Sequence, residues 1–131
     1  MEKSKIYQRE FDYIFSKKAP CVRGASVTCA FIEGQIFLLA KTFLQGHSVQ
    51  YKPRKYQELR QSLNILETNG KLSQKELKDI EKFLSERNKI VHGVFKGMTI
   101  TEWEEQNKKV VNLGRPIIKN LDKKLYPSAR P

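Results

Sequence analysis

Twenty consecutive residues, Ala25 to Leu44, are apolar on almost every side, and they set the frame for the rest of the chain. Val27, Ala30, Phe31, Ile36, Phe37, Leu38, Leu39 and Phe43 follow no strict alternation. The segment is far longer than the roughly three to ten residues of an ordinary strand, so it reads as helix despite its β-branched and aromatic content. A helix this apolar belongs at the centre of a bundle. Glu33, Gln35 and Lys41 interrupt it, which makes it a poor membrane span.

The flanking segments also carry helical periodicity. Tyr7, Phe11, Ile14, Phe15 and Lys18 recur at spacings of three and four and predict a first amphipathic helix, after which Pro20 and Gly24 punctuate the chain. Gly46 to Pro53 reads as a polar connection, with Pro53 suited to the start of a helix through Tyr56, Leu59, Leu63 and Leu66 that stops at Asn69-Gly70. Ser73-Gln74-Lys75-Glu76 has the spacing of a capping box. It opens a helix with an apolar face of Leu77, Ile80, Phe83, Leu84 and Val91, and with Gly93 and Gly97 as stops. Thr101-Glu102-Trp103-Glu104 reads as a second capping box, opening a helix through Trp103, Val110, Ile117, Leu121 and Leu125 that Gly114 and Pro116 should bend or break. The fold class is therefore all-α, an up-and-down bundle of four to five helices forming a single domain over residues 1–131, with Pro127 to Pro131 as a frayed tail.

Twenty-five Lys and Arg against fourteen Asp and Glu give a net charge of +11, a field that attracts polyanions, chiefly nucleic acid and anionic membrane, although lysine-rich helices also serve simply to keep a protein soluble. Cys21 and Cys29 read as small apolar residues of a reducing compartment; on one helix they would lie about 12 Å apart along the axis, too far for a disulfide. Two histidines, His47 and His92, are too few for the usual zinc sites, and no metal or cofactor is expected. Met1 to Ile14 is charged throughout and lacks an apolar signal core, so a cytoplasmic protein without membrane association is expected.

The chemically informative segment is Glu86-Arg87-Asn88-Lys89-Ile90-Val91-His92-Gly93. On an ideal helix Arg87 and His92 are separated by about 140° around the axis, whereas Asn88 and His92 share a face. An imidazole that exchanges a proton near neutral pH can act as general base or acid. A guanidinium beside it can hold a phosphate bidentately and stabilise charge growing there. Together these groups suffice, in principle, for attack of an RNA 2′-hydroxyl on its adjacent phosphate.

The run from Arg87 to His92 resembles the HEPN signature, in which an arginine, commonly followed by asparagine, precedes a histidine by four to six intervening residues. The resemblance covers the motif and the helical layout of the chain. It implies a helical bundle, a homodimer in which two copies of the motif meet at a composite cleft, and a metal-independent endoribonuclease, often a toxin of a toxin–antitoxin or defence system with an antitoxin protein as partner. Arg87, Asn88 and His92 would then be the catalytic residues. The members controlled by a nucleotidyltransferase antitoxin carry a tyrosine two residues after the histidine, where this chain has Val94. That departure argues against control by nucleotide transfer.

Around this motif, Glu33 is a possible accessory group, since some family members use polar residues of the central helix in the cleft; a lysine partner or a solvated edge would serve it as well. Lys52, Arg54, Lys55 and Lys89 are candidate RNA contacts, with Tyr51 and Tyr56 placed to stack bases and Trp103 better suited to the core. His47 is assigned no role. Arg87 has bland partners available in Glu81 and Glu86, and His92 could be a packing residue. Two alternatives to the nuclease remain at this point: a non-catalytic HEPN module that binds RNA, nucleotide or a partner protein, and an unrelated basic helical nucleic-acid binder. Burial of Arg87 and His92 away from a symmetric interface would favour the latter.

Overall fold

The protein is represented by a computed structural model that describes residues 2–45 and 58–127. His47, Tyr51, Lys52, Pro53, Arg54, Lys55 and Tyr56 lie outside the described residues. Among those described there are five α-helices and no strand: α1 Lys5–Ile14, α2 Val22–Gln45, α3 Glu58–Thr68, α4 Gln74–Phe95 and α5 Ile100–Leu125. The architecture is an all-α, up-and-down bundle.

The two longest helices, α2 and α5, share the most extensive interface. Gly114 permits their close approach, because a Cβ there would fall 2.4 Å from Thr28 Cγ2 and 3.0 Å from Phe83 Cε1. Ile32 and Ile36 of α2, Ile80 and Phe83 of α4, and Val110, Val111, Ile118 and Leu121 of α5 form the centre of the core. Burying these large apolar side chains contributes about 1.5–3 kcal/mol each before the entropy of ordering is subtracted.

A polar tie fixes α1 on this core. The Tyr7 hydroxyl donates to Asp122 Oδ1 at 2.9 Å, while Gln35 Nε2, buried in α2, donates to the Tyr7 oxygen at 3.0 Å and to the Ile118 carbonyl at 3.1 Å. Burial of the Tyr7 phenol raises its pKa.

Several local expectations are corrected. The first helix ends at Ile14, and Lys18 lies in the turn beyond it. Arg115 takes up the chain there, its Nε donating to the Ile14 carbonyl at 2.9 Å and its Nη2 to the Ser16 carbonyl at 2.8 Å. Gly24 does not punctuate the chain but lies in the first turn of α2, where a Cβ would collide with the Ala19 carbonyl oxygen at 1.5 Å. Gly93 likewise lies inside a helix, while Gly97, at φ 75°, makes the reversal between α4 and α5. That reversal leaves Thr99, not Thr101, as the N-cap: its Oγ1 accepts from Glu102 N and its own N–H donates to Glu102 Oε1, both at 3.1 Å. The box predicted at Ser73 and Glu76 is formed. Helix α5 runs unbroken through Pro116, which sits on its exposed side.

Candidate functional site

The side of α4 that faces the core changes along its length. Leu77, Ile80 and Leu84 share one bearing and are buried. Val91 and Phe95 continue that bearing within about 30°, with Arg87 and Val94 about 55° and 75° to one side, yet Val91, Val94 and Phe95 are 61%, 63% and 84% exposed. Val91 is therefore not a core residue as its periodicity suggests. Beyond Ser85 the inward side is instead Glu86, Ile90 and Gly93, which pack toward α5. The apolar stripe of α4 thus runs out of the bundle uncovered, with Arg87 at the point where it emerges.

Side chains of α5 hold this end of α4 in place. Trp103 Nε1 donates to the Ile90 carbonyl at 2.9 Å and Gln106 Nε2 to the Glu86 carbonyl at 2.8 Å. The buried Glu86 carboxylate lies 2.6 Å from Lys109 Nζ and 2.7 Å from Lys89 Nζ. These two ammonium groups, Lys109 foremost, hold its pKa down to about 2. Gly93 lets the α4–α5 connection close over the helix, since a Cβ would meet Met98 Sδ at 2.2 Å. Trp103, half-buried, is a clamp residue as well as a packing one.

Arg87 is ion-paired to Glu33 on α2. The partners expected from the sequence are engaged elsewhere: Glu81 binds Arg60 of α3 at 2.6 Å, and Glu86 binds Lys89 and Lys109. The Arg87 and Glu33 side chains are 33% and 41% exposed, so the pair is open to an incoming ligand. Cys29 lies one helical turn before Glu33. Burial pushes its thiol up to about 11, against the opposing pull of Arg87. Both Cys21 and Cys29 are free thiols of intermediate burial.

His92 lies in the last turn of α4, exposed, and its imidazole makes no hydrogen bond among the described residues. Asn88, one turn earlier, is also exposed. Although about 140° apart, Arg87 and His92 fall within one solvent-facing arc of α4, with Asn88 between them. His92 is exposed and the Arg87 side chain is one-third exposed.

The adjoining face of α2 is unusually open for so apolar a helix. Ala30 and Gly34 are exposed and Phe37 is half-buried, all within about 100° of Glu33 around the axis. By length and composition Val22–Gln45 is apolar enough to cross a membrane, with mean hydropathy 1.5 over its best window, of which 33% is buried in the bundle. Helices at the centre of a bundle share this length and composition. Among the described residues no three His, Cys, Asp or Glu side chains cluster as metal ligands would.

The candidate residues are therefore brought together in part. Arg87, Glu33, Asn88 and His92 share one surface region, and Lys89 is adjacent but paired with Glu86. Lys52, Arg54 and Lys55 lie outside the described residues. Sequence reasoning missed Val94 and Phe95, although their bearing on the α4 stripe was available from the spacing. It also missed the lysines that line the helix's outer side. Comparison of the chain with protein-family models, curated proteins and solved structures found no match.

Proposed function

We propose that the protein is a metal-independent endoribonuclease of the HEPN type, acting as a homodimer and belonging to a toxin–antitoxin or defence system. The observation that carries the reading is that Arg87, one-third exposed, and the exposed Asn88 and His92 reach solvent on one arc of α4 beside an uncovered apolar surface. Glu33 orients the Arg87 guanidinium from α2. Val91, Val94 and Phe95 supply the surface onto which a second copy packs, bringing two motifs to one cleft.

In the reaction the His92 imidazole accepts the proton of the RNA 2′-hydroxyl as that oxygen attacks the adjacent phosphorus. Arg87 donates to the phosphoryl oxygens and stabilises the charge gathering on them. Asn88 orients the phosphate or the imidazole. The bond from phosphorus to the 5′-oxygen breaks, that oxygen takes a proton from solvent water and the imidazolium returns its own to solvent, leaving a 2′,3′-cyclic phosphate and a 5′-hydroxyl. DNA lacks the attacking hydroxyl and is not cut.

The test is cleavage of end-labelled single-stranded RNA in EDTA by the wild-type protein, His92→Ala and Arg87→Ala. Cleavage by wild type alone, with cyclic-phosphate ends, supports the nuclease and both roles. Equal residual activity in all three preparations overturns it in favour of a non-catalytic module that binds RNA, nucleotide or a protein.

A further inference from the structure

The outer side of α4 carries a second pattern that the motif does not use. Lys78, Lys82, Ser85, Lys89 and His92 follow one another at intervals of three and four residues, and Lys96 extends the row at the helix C-cap. All six are exposed. On the helical wheel they occupy an arc of about 80° that begins, at His92, about 60° from Phe95 and turns away from the Val91–Phe95 surface. No acidic residue of α4 lies within this arc. Glu81, next to it, is engaged by Arg60, and the buried Glu86 is engaged by Lys89 and Lys109. Lys78, Lys82 and Lys96 have no ion-pair partner among the described residues, so their charges face solvent uncompensated.

We infer that this ridge is a track for the backbone of a single RNA strand, leading it to His92. From Lys78 to Lys96 the row is about 27 Å long, the span of about eight phosphates at the ~3.4 Å spacing of a stacked strand. One line of point charges on a convex helix suits one backbone, whereas a duplex presents two. His92 ends the helical part of the row and borders Asn88, so a strand following the lysines arrives at the imidazole without crossing the apolar surface. The groove between α4 and α5 runs beside the ridge, with Lys82, Asn112 and Asn120 on its walls. Its carboxylates are occupied, Glu76 by Lys124 at 3.1 Å and Asp79 by Lys75 at 3.8 Å. The ridge's destination rests on the proposed role of His92; the track itself does not require cleavage.

The test separates the two. In a His92→Ala background, binding of a 20-nucleotide oligouridylate is titrated against salt for three proteins: the parent, Lys78→Ala/Lys82→Ala/Lys96→Ala, and a control with equal charge loss elsewhere, Lys17→Ala/Lys18→Ala/Lys119→Ala. The ridge variant is expected to bind about 10–100-fold more weakly at low salt, with the slope of log K against log salt smaller by about two, at ~0.7 per phosphate contact. The control should bind like the parent. Unchanged binding by the ridge variant, or equal weakening in both triple variants, overturns the track. If wild type fails to cleave RNA while the ridge variant alone loses binding, the nuclease reading falls and the track stands.

Discussion

The Arg87 guanidinium on α4 is ion-paired to Glu33 on α2, across 54 positions of sequence. This contact joins the helix bearing the motif to the apolar helix at the bundle's centre. It also fixes the direction of a side chain with four rotatable bonds and a fork suited to phosphate. Because both partners are more than 30% exposed, the pair adds only about 0–1 kcal/mol to stability. Its consequence lies in orientation.

Glu33→Ala should therefore lower single-turnover RNA cleavage at least about tenfold while changing stability by less than ~1 kcal/mol. Glu33→Gln, whose amide oxygen still accepts from the guanidinium, should retain more activity than Glu33→Ala. Thermal melts and cleavage rates on the same preparations check this. Wild-type cleavage by Glu33→Ala would remove Glu33 from the site.

The exposed end of the α4 stripe predicts an assembly. Wild type should have a solution mass near twice 15.3 kDa, and Val94→Glu/Phe95→Glu should be monomeric and inactive. These side chains contact so little of their own chain that the monomer's own stability should shift by no more than ~0.5 kcal/mol, so the melts of the two proteins should converge as wild type is diluted until its dimer dissociates. Light scattering and denaturant melts decide the matter. A monomeric wild type that still cuts RNA would exclude the composite cleft.

The bundle was legible because its signals are local and mutually consistent. The Ser73–Glu76 box, the stop at Gly70 and the apolar run of α2 each name an element without knowledge of its neighbours. What was hidden depends on where one helix outlasts its cover. Val91 has the spacing of a core residue, and only the positions of the other helices reveal that the stripe has left the bundle there. The partner of Arg87 was hidden for the same reason: Glu81 and Glu86 are near in sequence, but Arg60 and Lys109 claim them first. At the start of α5, two threonines each precede a glutamate by three, and the turn at Gly97 decides between them. Arg87, Asn88 and His92 are singled out by the motif alone, whereas the degree to which each reaches solvent depends on the fold.

Glu86 gives stability a pH signature. Its carboxyl pKa is about 2 in the folded chain, against an ordinary 4.5, so the native state favours the deprotonated form. The resulting stabilisation is fully present above about pH 4.5 and is lost as pH falls toward 2. Glu86→Gln should lower stability at neutral pH by about 1–2 kcal/mol, the scale of hydrogen bonds to charged groups. It should also flatten the decline between pH 4.5 and 2. Denaturant unfolding of both proteins at stepped pH measures this, and parallel curves would show that Lys89 and Lys109 do not stabilise the carboxylate.

Two glycines in helix interiors should respond in opposite directions to alanine. At Gly34, on the open face of α2, a Cβ meets nothing within 4 Å, so Gly34→Ala should stabilise the monomer by about 0.5–1 kcal/mol through backbone entropy alone. At Gly114 the same gain is outweighed, because the new methyl would lie 2.4 Å from Thr28 Cγ2 and 3.2 Å from Ile32 Cδ1. Separating α5 from α2 there should cost about 1–3 kcal/mol. Thr28→Ser deletes the Cγ2 responsible for the closest clash. Gly114→Ala/Thr28→Ser should therefore be more stable than the sum of the single effects allows, by about 1 kcal/mol. Strict additivity in this cycle would mean that the new methyl is resisted by Ile32 of α2 and Phe83 of α4, not by Thr28.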